Sequence, residues 1–229
     1  MSYCPSCGKE IQEDMKFCPS CGQQLIMEGM VTSTYRRLSF GEKVKGFLGA
    51  PSNTFNNVEA EASGSALKYF TIWVVIYAIL RTIVFYTLER RVFRTLWNLL
   101  GLSDAAVYRF DPVTFAVLAV VGAFASLFIG GLWTHLFVRA FGGRKGYRNT
   151  IKAFAYGNTP LFLFGWIPFV GMLFSFWAWV LNIIGLRQLH EISTGRAIGA
   201  VLLSIVALVI IVVLIVLFVV LLVVVSAAG

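Results

Sequence analysis

The chain has 229 residues, of which 58% are hydrophobic and 13% charged, and its formal net charge is +8. A soluble domain carries about a quarter charged residues, so this balance, with a mean hydropathy of +0.79, excludes an ordinary soluble protein and points to the membrane. The positive charge does not require a nucleic acid partner, because Lys and Arg collect in the cytoplasmic loops of membrane proteins.

Residues 1–25 are polar and turn-rich and hold all four cysteines. Cys4-Pro5-Ser6-Cys7-Gly8 recurs as Cys18-Pro19-Ser20-Cys21-Gly22. Each Cys-x-x-Cys brings two thiolates to one side of a tight turn, and two such knuckles form a tetrahedral sulfur cage suited to one Zn²⁺. Soft thiolates also hold iron, and dithiols or disulfides are the remaining alternatives, which a reducing cytoplasm disfavours. Four protein ligands close the coordination sphere, so the metal is structural, and a segment this short depends on it to fold. Lys9 and Lys16 are offset by Glu10, Glu13 and Asp14, so no basic patch for nucleic acid exists. The ribbon reads as a protein-contact module or an N-terminal cap. No apolar run opens the chain, so no cleaved signal peptide is expected.

Residues 26–66 read as a linker with short amphipathic helices. Phe40, Val44, Phe47 and Leu48 fall at helical spacing with Lys43 and Lys45 between them. Two readings stand: the stretch lies in the lipid interface near anionic headgroups, or its apolar face packs on the protein's own membrane domain. Pro51 ends it, and Ser52 or Asn53 can cap a second helix before Gly64 and Ser65.

Residues 67–225 divide into five hydrophobic spans, at about 67–88, 113–141, 151–166, 169–186 and 197–225. A helix needs ~20 apolar residues to cross a hydrocarbon core of ~30 Å, and four of the five reach or approach that length. The third is short and contains Pro160. It pairs with the fourth as a hairpin through Gly165-Trp166-Ile167-Pro168, the alternative being a re-entrant pair. The fifth is nearly pure Val, Ile, Leu and Ala, exceeds the bilayer core in length and is expected to tilt.

Charge sets the orientation. Lys9, Lys16, Arg36, Arg37, Lys43 and Lys45 precede the first span; Arg139, Arg144, Lys145, Arg148 and Lys152 surround the second loop; Arg187 and Arg196 flank the fourth. Only Arg90, Arg91, Arg94 and Arg109 fall in the first loop. A cytoplasmic N-terminus therefore places 13 basic groups inside and four outside, and five crossings put the C-terminus outside.

No acidic residue falls inside these spans, which argues against proton- or cation-coupled transport. His135 reads as an interhelical hydrogen-bond partner, and Arg81 as snorkelling or bound to a backbone carbonyl. Gly122, Ser126 and Gly130 make a small-residue ribbon for close helix approach, within the chain or in a homo-oligomer, with internal use preferred. Tyr156, Asn158, Thr159 and Pro160 concentrate polar groups and a helix breaker at one depth. With Asn182 and His135 they form the candidate site for a lipid headgroup or small ligand, or else a structural kink. No enzyme motif is present: His190-Glu191 lacks a second histidine at protease spacing, and Gly142-Gly143-Arg144-Lys145-Gly146 lacks the form of a phosphate-binding loop.

His135-Leu136 through Phe141-Gly142-Gly143, Ala155-Tyr156-Gly157 with Pro160, Trp166-Ile167-Pro168-Phe169-Val170-Gly171, Gly185-Leu186-Arg187, and His190 through Gly195-Arg196-Ala197 resemble the prokaryotic branch of the Yip family, the Ypt/Rab-interacting membrane proteins. Ala50-Pro51 with Phe55 looks like that family's segment before the first span. The resemblance covers about residues 40–225 and implies five helices, a cytoplasmic N-terminus and no catalytic activity. Its eukaryotic members act in vesicle trafficking and bind Rab-type GTPases. The N-terminal segment is similar to zinc ribbons that begin many bacterial and archaeal membrane proteins. The expectation is therefore an all-α polytopic membrane protein behind a Cys4 ribbon, in a prokaryotic plasma membrane. It organises membrane or recruits a cytosolic protein through the ribbon; the alternative is a lipid or small-molecule transporter or scramblase working through Tyr156–Pro160.

Overall fold

The computed structural model describes residues 2–3, 10–11, 20, 38–99 and 110–228. The chain forms two compact units, Met1–Arg36 and Arg37–Gly229. In the first, strands β1 (Ser2–Tyr3) and β2 (Glu10–Ile11) pair antiparallel, Ser2 opposite Ile11 and Tyr3 opposite Glu10. The expected zinc ligands Cys4, Cys7, Cys18 and Cys21 lie outside the described residues.

The second unit opens with α1 (Phe40–Gly49), started by a capping box in which the Ser39 hydroxyl accepts from the Glu42 N–H and the Glu42 carboxylate accepts from the Ser39 N–H. Its apolar face packs inside the protein. The Phe40 ring lies 5.0 Å from Tyr69 and 5.5 Å from Trp73, and Phe47 is fully buried. Of the two readings of this helix, internal packing is the one observed. Helix α2 (Pro51–Val58) begins at Pro51 with Ala50 as its cap, which corrects the expected Ser52 or Asn53 cap. Proline at the first helical position has no N–H to satisfy, so the start needs no side-chain acceptor. Residues read as linker thus include two helices of the second unit.

Helix α3 (Ser63–Val84) runs through a π-helical segment, Phe85–Glu89, into α4 (Arg90–Leu99). The first span therefore continues well beyond residue 88. Arg81 pairs with Glu89 at 2.7 Å across the π segment, rather than snorkelling or binding a carbonyl. The helix that contains this span extends over Ser63–Leu96 and so carries Glu89, just past the expected end of the span. Helix α5 (Pro112–Ala125) is capped by Asp111, whose carboxylate accepts from the N–H groups of Val113 and Thr114. It continues through a second π-helical segment, Ser126–Gly130, into α6 (Gly131–Ala140).

The third predicted span is two helices, α7 (Tyr147–Gly157) and α8 (Thr159–Phe164). At ~1.5 Å per residue neither alone crosses a ~30 Å core. The break follows from Pro160, which cannot donate to the carbonyl of Tyr156; the Thr159 hydroxyl donates to that carbonyl instead. A tight turn leads to α9 (Val170–His190), with Phe169 at φ 63° and 90% exposed. Helix α10 (Thr194–Ala228) completes the chain. Among the described residues, four helices are long and apolar enough to cross a membrane: Ser63–Leu96, Pro112–Ala140, Val170–His190 and Thr194–Ser226. Five individually spanning helices are not observed.

The core gathers on α7. Ile151, Ala153, Ala155 and Tyr156 pack with Phe70 of α3 and with Leu181, Leu186 and Leu189 of α9. Helix α10 contributes Ala197, Ala200 and Val201 near its start; from Leu208 to Ser226 every residue is exposed.

Candidate functional site

Glu61 lies between α2 and α3, and α1 brings Lys43 to it at 2.7 Å. Their side chains are only 2% and 7% exposed, respectively. The same carboxylate oxygen accepts from the Tyr156 hydroxyl at 2.6 Å and the Ser65 hydroxyl at 2.8 Å. Burial pushes the Glu61 carboxyl up, but hydrogen bonds from Lys43, Tyr156 and Ser65, with the charge of Lys43, bring it below the ordinary value of 4.5. The carboxylate is therefore ionised at neutral pH, inside the protein and fully committed.

Tyr156 and Thr159, two of the predicted site residues, are enclosed in this assembly. The Tyr156 ring stacks on Phe47 at 5.2 Å and 19°. Thr159 shares a hydrogen bond of 3.0 Å with the Tyr69 hydroxyl. Pro160 is buried beside them at the start of α8. Around the rim, the Lys152 ammonium donates to the Glu59 carbonyl at 2.8 Å. Lys145 pairs with Glu191 at 2.8 Å and Glu59 at 3.5 Å, tying the loop after α6 to the ends of α2 and α9.

Asn158 and Asn182 meet each other: the Asn182 amide donates to the Asn158 side-chain oxygen at 3.2 Å. Asn182 is 8% exposed and its own oxygen abuts Gly157, where a Cβ would collide with it. Gly157 is therefore required by the close approach of α7 and α9. Asn158 also sits on the wall of a cavity of about 310 Å³.

His135 belongs to a separate cluster. Its Nδ1 lies 2.8 Å from the Thr150 hydroxyl, which lies 2.9 Å from Nε2 of His190. Thr150 thus joins α6, α7 and the end of α9, its hydroxyl hydrogen-bonded to both imidazoles. The six predicted residues therefore divide into three places: Tyr156, Thr159 and Pro160 in the closed core, Asn158 with Asn182 at the cavity, and His135 beside Thr150.

Sequence reasoning missed Lys43, Glu61, Tyr69, Thr150 and His190 as members of these networks. The available signal was a lysine between two phenylalanines of a short helix, and a glutamate just ahead of the first span. Among the described residues no group of three or more His, Cys, Asp or Glu is placed to hold a metal, so the metal reading rests on the four cysteines.

Comparison with known families gives two matches. A family model described as Yip1 domain matches residues 45–227, and one described as zinc-ribbon domain matches residues 3–25. No curated protein and no solved structure matches.

Proposed function

The chain belongs to the Yip1-domain family and carries an N-terminal zinc-ribbon domain, and from that premise we propose that it is a non-enzymatic membrane organiser that recruits a cytosolic protein through the ribbon. It is a multi-pass, all-α membrane protein, and membrane organisation is the use of that architecture best suited to its closed centre. The observation that carries this reading is the enclosure of Tyr156 and Thr159. The Tyr156 hydroxyl is bonded to Lys43 and Glu61 and its ring is packed on Phe47, while Thr159 is bonded to Tyr69 and to the Tyr156 carbonyl, so neither lines a route across the membrane. A buried network with its hydrogen bonds made is rigid rather than permeable.

In this proposal Cys4, Cys7, Cys18 and Cys21 hold one structural Zn²⁺, and the N-terminus is cytoplasmic, in the plasma membrane of a prokaryote. The cytoplasm keeps the thiols reduced and free to bind metal. If α7 and α8 together make a fifth crossing beside α9, the C-terminus lies outside.

Reconstitution into liposomes carrying labelled phospholipid tests the central claim. Lipid should cross the bilayer no faster than in protein-free vesicles; rapid movement would replace the organiser with a scramblase. Metal analysis of the same preparation should return one zinc per chain, and absence of zinc with freely alkylated Cys4 and Cys18 removes the ribbon from the proposal.

A further inference from the structure

The small-residue ribbon on α5 is not covered by a neighbouring helix. A Cβ at Gly122 would meet nothing within 4 Å, and one at Gly130 would meet only the Ser126 hydroxyl, at 3.8 Å. The expected internal use of this ribbon is thus unfulfilled. Ser126 and Gly130 instead face the cavity of about 310 Å³, whose walls come from their own π-helical segment and from α3, α5, α6, α7, α8, α9 and α10.

That cavity is inside the membrane-spanning part of the chain, and its lining is mostly apolar, with Phe70, Phe162 and Leu127 on the wall. Its polar wall groups are different in kind from those of the closed core. Tyr77, Ser126, Thr134 and Asn158 all line it. Asn158 spends its oxygen on Asn182, which leaves its NH₂ group. Among the described residues, the hydroxyls of Tyr77, Ser126 and Thr134 and that NH₂ group make no hydrogen bond to protein, although the charges of Arg81 and Glu89 act on the Tyr77 hydroxyl. In hydrocarbon such groups cost several kcal/mol each when left unmet, and water is scarce.

The chemistry of the wall defines what meets them. All four groups can donate a hydrogen bond, and no ionised side chain lines the space, so the occupant offers neutral oxygen acceptors on an apolar body. The volume stands at the lower end of the ~300–1,000 Å³ typical of small-ligand sites, enough for part of a lipid rather than a whole one. We propose that the cavity is a lipid-binding site that takes one acyl chain of a glycerolipid, with the oxygens at its glycerol end accepting from the unpartnered wall donors. The charged headgroup stays outside it. This site is separate from the Lys43–Glu61–Tyr156 network and stands whether or not the ribbon recruits a partner.

The test uses the full chain in phosphatidylcholine vesicles doped with a phosphatidylcholine that carries a diazirine near the ester end of one acyl chain. Photolabelling followed by peptide mass spectrometry should concentrate adducts on the α5–α6 segment around Ser126 and Gly130 and around Asn158. Gly130→Leu fills the cavity from a position with open space and should lower that labelling about tenfold. Gly122→Leu, with open space on every side, should leave it unchanged. Circular dichroism and the unfolding midpoint establish that both variants fold, and Ser126→Leu replaces Gly130→Leu if that one does not. Adducts spread evenly along the exposed half of α10, or equal loss in both variants, would overturn the proposal. So would disulfide cross-linking between two copies of a Ser126→Cys variant on mild oxidation, which would assign the ribbon to a homodimer.

Discussion

Helix α7 carries Asn149, Thr150, Lys152 and Tyr156 within eleven residues, and seven of those eleven are buried in protein. Helix α10 has no charged side chain after Arg196, and its whole length from Leu208 to Ser226 is exposed. In a soluble protein the burial would be reversed. Here the hydrocarbon is as apolar as leucine, so apolar surface gains little by leaving lipid for protein. What draws helices together is close backbone approach and polar groups that need partners, and α7 has both: Gly157 against Asn182, and polar side chains bonded to α1, to Glu59 and Glu61 ahead of α3, and to α9. Between these two helices, burial follows polarity and exposure follows hydrophobicity.

The contrast is broken most severely at the ion pair. Lys43→Met leaves Glu61 without its counter-charge in the interior, held only by Tyr156 and Ser65, and it should cost about 3–5 kcal/mol of unfolding free energy, measured by denaturant titration in micelles. A loss below about 1 kcal/mol would mean that Glu61 is solvated and that α7 is not sealed. Next comes close approach: Gly185→Ala places a Cβ 2.7 Å from the Phe55 ring and 3.0 Å from the Ala153 side chain, and should destabilise by about 1–3 kcal/mol in the same assay.

Acid provides a gentler probe of the same centre. The Glu61 carboxyl titrates below 4.5 in the folded protein, so its contribution is complete above that value and is lost as pH falls through the lowered folded value. The unfolding midpoint should therefore drop on acidification below 4.5, more steeply in the wild type than in Lys43→Met, where one of the three lowering partners is gone. Equal slopes would place the acid sensitivity elsewhere. The smallest effect belongs to α10, where Leu217→Ala should change stability by less than about 0.5 kcal/mol, because its neighbours are lipid tails.

Much of this architecture is legible in sequence, and what is not legible has a common cause. The spans at 67–88, 113–141, 169–186 and 197–225 each show as apolar runs because a bilayer imposes length and composition on the helix itself. The cysteine pairs announce a zinc ribbon because the ligand spacing is local. Lys43 hid in an amphipathic pattern, since nothing within one helix reveals a carboxylate 18 residues later. Glu89 escaped for a related reason: the π-helical segment carries the first helix past the end of its apolar run, and only there does Arg81 meet it. The third span misled because its apolar residues pack on protein, where composition carries no length requirement, and the break at Asn158 could shorten it freely.

The 35 residues of α10 extend for roughly 52 Å, well beyond a ~30 Å hydrocarbon core. Its near end is clamped: Ala197 and Ala200 are buried, and the Trp133 indole donates to the Ser204 carbonyl at 2.8 Å. Its far half, from Leu208 to Ser226, is exposed. A rod pinned at one end and immersed along the other is a lever, and the thickness of the surrounding bilayer sets its angle. The pivot at Ser204 is also part of the cavity wall, so a thinner or thicker membrane bears mechanically on the space where the lipid chain would sit.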